Sequence, residues 1–168
     1  MPWVPGPRAG WVVEANRGER PEYAPAPGPF DAEVLLTEAE RRHRGRELRA
    51  TDVVEPLRIA CEALENTARL TPLGRWATQR YLRRLLDVRL GLEAHRRADP
   101  AVEAEPIDAP VFVVGAPRTG TTVLHRLLAA DPAHRVAEGW EFTLPLPPPD
   151  PATHDTDPRI EAAAEELV

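Results

Sequence analysis

The sequence predicts an α/β fold of the P-loop nucleotide-binding kind, incomplete as it stands, behind an α-helical N-terminal region. Three observations lead there. Val111-Phe112-Val113-Val114 is a continuous β-branched and aromatic run, apolar on both faces, as a buried parallel strand is. It stops at Gly115, and a helical pattern of Val123, Leu124, Leu127 and Leu128 begins near Gly120. Strand, tight loop and helix in that order are half of a βαβ unit. Ahead of them, apolar residues recur at spacings of three and four through a long polar background, which is the pattern of packed helices. The chain therefore divides into a Pro/Gly-rich arm (1–30), a helical region (31–105) and the start of a nucleotide-binding domain (106–168).

The arm holds seven of the 20 prolines, with Gly6, Gly10, Gly18 and Gly28, and reads as extended or disordered. Trp3, Trp11 and Phe30 are its candidate anchors. The first helix is expected from Asp31, a plausible N-cap, to Arg49. Its arginine cluster around His43 alternates with Glu38, Glu40 and Glu47, as a solvated face does, with a phosphate- or nucleic-acid-binding patch as the alternative reading. The second helix is expected from Asp52, which forms a capping-box pattern with Glu55, with Pro56 in the first turn and Cys61 on the apolar face. Thr71 as cap and Pro72 at the first helical position open a third helix that runs to Ala98, with Leu73, Trp76, Ala77, Leu85, Val88 and Leu92 as its apolar stripe. Beyond the loop helix, 135–143 is expected to hold a second short strand. Leu144 to Pro151 is a proline-rich loop, and Asp157-Pro158 starts a last helix.

Composition narrows the function. The 168 residues are 42% hydrophobic and 29% charged, which excludes collagen-like, mucin-like and wholly disordered classes. The net charge of -6 argues against bulk nucleic-acid binding. No apolar run approaches the roughly 18 residues of a membrane span, and no secretory leader is visible, so a cytoplasmic protein is expected. The single cysteine excludes an internal disulfide and a cysteine-cluster zinc site. All 21 basic residues outside histidine are arginines, so a phosphate site has to use arginine.

The chemistry concentrates in Gly115-Ala116-Pro117-Arg118-Thr119-Gly120-Thr121-Thr122. Two glycines separated by four residues, followed by two hydroxyl residues, have phosphate-loop spacing. A loop between a strand and a helix aims free backbone N–H groups, and the positive end of the helix dipole, at one point. Thr121 stands where a nucleoside triphosphatase carries its lysine, and Arg118 is the loop's cation.

The segment from Pro110 to Pro132 resembles the 5′-phosphosulfate-binding segment of sulfotransferases, which take a sulfuryl group from 3′-phosphoadenosine 5′-phosphosulfate (PAPS). It is most similar to the bacterial branch whose Pro-Arg-Thr-Gly-Thr-Thr loop is followed by a Trp-Glu pair and a proline-rich stretch, here Trp140-Glu141, Pro145 to Pro149 and Asp157-Pro158-Arg159-Ile160. The resemblance covers roughly 70–168 and is most specific over 110–141. It implies a sulfotransferase-like P-loop fold, with Gly115, Pro117, Arg118, Thr119, Gly120, Thr121 and Thr122 holding the phosphosulfate and no metal. It also implies that Arg118 stabilises the charge that develops on the leaving oxygen. Related enzymes use a histidine or a glutamate as general base. Glu141 is the candidate, Glu138 the alternative; His125 reads as an acceptor-side or structural residue, and Trp140 as a wall of the acceptor pocket or a packing residue.

The same resemblance implies further parallel strands and a 3′-phosphate site that do not occur in these 168 residues. The chain therefore reads as the N-terminal part of such an enzyme: a fragment, a truncated product or one piece of a split gene, prone to self-association or to pairing with a C-terminal half. Whether these residues alone catalyse transfer is open. So is the acceptor, whether small molecule, lipid or carbohydrate. A nucleotide-binding protein of another type and a non-catalytic interaction module are the alternative readings.

Overall fold

The computed structural model describes residues 6–44, 48, 51–116 and 118–166. The chain forms two compact units, 1–93 and 94–168.

The first unit contains α1 (Gly10–Asn16), a 3₁₀ turn (Pro21–Tyr23), α2 (Ala32–Arg42), α3 (Thr51–Asn66) and the greater part of α4 (Pro72–Ala98). Asp31 caps α2 as its residue type requires, accepting hydrogen bonds from the N–H groups of Glu33 (2.8 Å) and Val34 (3.1 Å). Thr71 caps α4 through its hydroxyl, which accepts from the Gly74 N–H at 3.2 Å. α3 starts at Thr51, one residue before the expected cap, so Asp52 lies inside the helix and pairs with Arg89. Glu55 is taken up by Arg58 rather than by a capping box. α2 ends at Arg42, and the remainder of the expected helix falls largely outside the described residues.

Phe30, Leu35, Leu36 and Ala39 meet Leu48, Leu57, Cys61, Leu86 and Leu90 in the core of this unit. Cys61 is buried as its place on the apolar face of α3 implies, and burial pushes its thiol pKa up. The stripe that α4 turns inward is not the expected one. Leu86 and Leu90 are buried, with Leu82 half-buried on the same side, while Leu85 is exposed. α4 carries leucines on several faces, so spacing alone admits more than one stripe, and packing against α2 and α3 selects among them. The basic cluster at the end of α2 is a paired surface: Arg42 and His43 both reach Asp87, at 3.0 and 3.2 Å.

The proline-rich arm has regular structure from Gly10 onward, where its composition predicts an extended or disordered chain. Trp11 packs on Tyr23, whose ring meets Trp76 edge-on at 4.9 Å. The buried Gln79 amide takes both backbone groups of Ala26, donating to its carbonyl and accepting from its N–H. Glu65 accepts from the Phe30 N–H, and Arg75 lies over the Phe30 ring and donates to the Gly28 carbonyl. Proline removes donors, but the carbonyls and the few remaining N–H groups are enough for polar side chains on α3 and α4 to hold. Trp3 lies outside the described residues.

The second unit contains the end of α4, α5 (Ala101–Ala104), an extended segment, α6 (Thr121–Ala129), α7 (Gly139–Thr143), a 3₁₀ turn (His154–Thr156) and α8 (Arg159–Glu166). This overturns the α/β expectation. Among the described residues there is no strand and no sheet, and the architecture is helical. The 111–114 run is extended but unpaired, with Phe112 81% and Val114 90% exposed. A strand exists only through a neighbour's hydrogen bonds, and no described segment lies alongside to make the ladder. The second expected strand is also absent: within 135–143, Gly139–Thr143 is helical and the residues before it are irregular.

Replacing Leu90, which is 1% exposed, by Ala should cost the first unit about 2–5 kcal/mol in urea unfolding. Leu85→Ala on the exposed side of the same helix should change stability by less than about 0.5 kcal/mol.

Candidate functional site

The second unit concentrates the motif residues. Gly115 and Gly120 bracket a tight loop. A Cβ on Gly115 would stand 2.8 Å from the Thr121 Cγ2 and 2.9 Å from the Thr119 Oγ1, so only glycine lets the two ends of the loop approach this closely. Gly120 is left-handed at φ 92°, a conformation that glycine adopts without steric cost, and it occupies the N-cap of α6. Having no side chain, it leaves the first N–H groups of α6 uncapped. Arg118 is also left-handed, at φ 65°, which is unfavourable for a residue with a Cβ. Its side chain makes no hydrogen bond or ion pair among the described residues. Thr119 ties the turn internally, its hydroxyl donating to the Ala116 carbonyl at 2.6 Å. Pro117 lies outside the described residues.

Next to this loop is a cleft of about 1140 Å³. Thr122, His125 and Arg126 of α6 form one wall, Arg135, Glu138 and Phe142 another, and His154 and Asp155 close it. A second hollow of about 770 Å³ runs along the exposed 110–113 segment and shares His125, His134, Arg135 and Phe142 with the first. The structure thus brings Thr122, His125 and Glu138 to one cleft.

Glu141 stands behind that wall rather than in it. It is 7% exposed, and both of its oxygens are engaged: one with the Arg135 guanidinium, the other with the Glu138 N–H. The His154 Nε2 lies 3.7 Å from the first. Burial pushes the Glu141 carboxyl up, but the Glu138 N–H, Arg135 and His154 together bring it below the usual carboxylate range. It is a fixed anion with little room to take a proton from a molecule in the cleft. The Glu138 carboxylate accepts from the Trp140 indole N–H at 3.0 Å. Trp140 itself is buried against His154 and under Arg159, so it packs the wall from inside.

The Asp157-Pro158-Arg159 motif is a staple. Arg159 is held by Asp157 at 2.6 and 2.9 Å, donates to the carbonyls of Leu144 and Pro147 at the two ends of a proline-rich turn, and covers the Trp140 ring at 4.8 Å. Asp157 also accepts from the Arg159 N–H at the start of α8. The Arg159 side chain and backbone N–H hold its pKa down at about 2.

Sequence patterns missed His154, Asp155 and Arg135 as members of this cluster. The signal at hand was only the run of turn-forming residues from Asp155 to Pro158, and nothing local ties a histidine there to a glutamate thirteen positions earlier. Among the described residues, no group of three or more His, Cys, Asp and Glu side chains could hold a metal ion, and no helix is long and apolar enough to cross a membrane.

Residues 110–166, about a third of the chain, match the family described as the sulfotransferase family. The chain also shares 46% identity over 50 residues with omega-hydroxy-beta-dihydromenaquinone-9 sulfotransferase Stf3 of Mycobacterium bovis, and the same with that of Mycobacterium tuberculosis. The matching stretch is 30% of this chain and 12% of each relative's length. No solved structure matches the chain. The matched segment begins at the extended run and takes in the glycine loop, the cleft and the Arg159 staple together.

The staple makes a prediction about acid. A carboxyl whose pKa is lowered on folding stabilises the folded state above its unfolded value, and that contribution is lost as pH falls through the folded value. For Asp157 the window runs from 3.8 down to about 2. The indole N–H resonance of Trp140 should keep its native position as pH is lowered to about 4 and lose it progressively below. Asp157→Asn should flatten that acid limb and weaken the turn at neutral pH.

Proposed function

We propose that the 110–166 segment binds the 5′-phosphosulfate end of PAPS on the Gly115–Thr122 loop and directs the sulfuryl group toward a hydroxyl acceptor in the adjoining cleft. The single observation that carries this reading is the loop's own geometry. Two glycines permit a close turn, the uncapped N–H groups of α6 point to one side of it, and Arg118 is held in a left-handed conformation with its guanidinium unpaired among the described residues. Strained backbone at a ligand loop is a recurrent way of fixing a contact in advance.

The residues present suit a phosphosulfate. The N–H groups of Thr121 and Thr122 and the dipole of α6 favour an anion. The Thr121 and Thr122 hydroxyls are available as further donors. The Arg118 guanidinium can hold two oxygens at once, which places positive charge where the bridging oxygen gains negative charge as the S–O bond to the donor breaks. Thr121 in place of a lysine supports a phosphosulfate over the β,γ-phosphates of ATP.

A hydroxyl acceptor fits the cleft, which offers imidazole and carboxylate groups beside the loop helix and an apolar extension along 110–113. The curated relatives are named for omega-hydroxy-beta-dihydromenaquinone-9 as the molecule they act on. An acceptor with a hydroxyl at the end of an apolar body is therefore the class we assign.

Calorimetric titration should show binding of PAPS and of 3′-phosphoadenosine 5′-phosphate, with ATP at least tenfold weaker. Arg118→Ala should lose about 1.5–3 kcal/mol of PAPS affinity, the worth of a hydrogen bond to a charged group. Arg118→Lys should recover part of it. Gly115→Ala should weaken binding by forcing Thr119 and Thr121 apart. Equal affinity for ATP and PAPS, or wild-type affinity in Arg118→Ala, would refute the assignment.

A further inference from the structure

We propose that His154, held between Asp155 and the buried Glu141, is the group in the cleft that takes the acceptor's proton, and that Glu141 is a positioning residue behind it. This rests on the reading of the cleft as the transfer site.

The geometry sorts the candidates. A proton acceptor has to reach the cleft and have a free lone pair. Glu141 does not reach it, since it is buried, and each of its oxygens already accepts a hydrogen bond from the wall. Glu138 lines the cleft, but the Trp140 indole N–H donates to one of its oxygens and ties the carboxylate to the wall. His154 also lines the cleft and keeps about a quarter of its side chain exposed. Its Nδ1 lies 3.1 Å from the Asp155 Oδ1. With Nδ1 donating to that carboxylate, the lone pair is left on Nε2. The Nε2 is 3.7 Å from the Glu141 Oε1, too far for a hydrogen bond that would occupy it, and close enough to stabilise the positive charge once a proton arrives. Trp140, with its ring centroid 5.2 Å from that of the imidazole, limits the ring's rotation.

The step balances without any further reactant. The acceptor O–H gives its proton to the His154 Nε2 as its oxygen bonds to sulfur. The bond from sulfur to the bridging oxygen of the donor breaks, and its electron pair leaves on the 5′-phosphate of 3′-phosphoadenosine 5′-phosphate. The imidazolium faces Glu141, Asp155, Glu138 and Asp157, opposed on the α7 side by the Arg135 guanidinium. The hydrogen bond to Asp155, against the cost of burial, and the nearby Glu141 and Glu138 charges raise the imidazole pKa above its ordinary value. The free-base form therefore grows as pH rises through a midpoint above 6.5.

The test combines three readouts on the full chain: nuclear magnetic resonance titration of the His154 ring, calorimetric PAPS affinity, and PAPS consumption with excess medium-chain primary alcohol or simple phenol. His154 is expected to titrate above 6.5 and to move acidward in Asp155→Asn. That variant alters an exposed carboxylate and spares the buried one, and Glu141→Gln should act in the same direction. His154→Gln should bind PAPS within about twofold of wild type, lose roughly 10²- to 10⁴-fold in consumption, and lose the alkaline rise in rate. Unchanged consumption and pH profile in His154→Gln, or a His154 midpoint at or below 6.5, overturns the proposal while leaving the phosphosulfate site standing. PAPS binding with no consumption by wild type overturns it as well. A wild-type chain that does not bind PAPS overturns the phosphosulfate reading itself, and the proposal with it.

Discussion

A carboxylate taken out of water has to be paired, and Glu141 is the one around which the second unit is arranged. Removing a partner would leave the buried carboxylate short of a hydrogen bond, which favours keeping together the segments that supply them. Arg135 comes from the irregular stretch after α6, the Glu138 N–H from the start of α7, and His154 from the turn ahead of α8. Arg159 repeats the arrangement one layer out, joining both ends of the proline-rich turn to the start of α8 and covering Trp140. Two charged side chains thus stand in for an apolar core in a unit whose large hydrophobics (Val111, Phe112, Val114, Leu127 and Phe142) are mostly exposed.

That arrangement also sets the chemistry. The groups that hold the wall together from behind are spent on structure, which leaves His154 open to the cleft, with His125 and Arg126 on the α6 wall. The glycine loop meets the cleft through α6: Thr122 belongs to both the loop and the cleft, and His125 and Arg126 follow within one turn of the helix. An anion fixed at the start of α6 would therefore sit beside the imidazoles without any rearrangement of the backbone.

Much of this was legible in the sequence wherever the determinant is local. Asp31 and Thr71 act within their own first turns, and both caps form where their residue types place them. The two glycines and the helix after them are a local pattern, and the helix begins at Thr121 as the apolar spacing requires. The misreadings share one cause. Whether 111–114 is a strand depends on a neighbouring segment, and an apolar β-branched run carries no information about whether one is present. The inward face of α4 depends on what packs against it, since leucines lie on several of its faces. The Glu141 cluster joins residues six and thirteen positions away along an irregular path, so the partner that turns a candidate base into a fixed anion leaves no periodic trace.

The most direct test of the account is where an anion lands. In an amide nuclear magnetic resonance titration with 3′-phosphoadenosine 5′-phosphate, the account predicts the largest shifts at the N–H groups of Gly120, Thr121, Thr122 and Val123, with smaller ones at the His125 and His154 rings and none in the 10–93 helices. Shifts centred on the arginine-rich surfaces of α2 and α4, with the Gly120–Val123 amides unmoved, would contradict it.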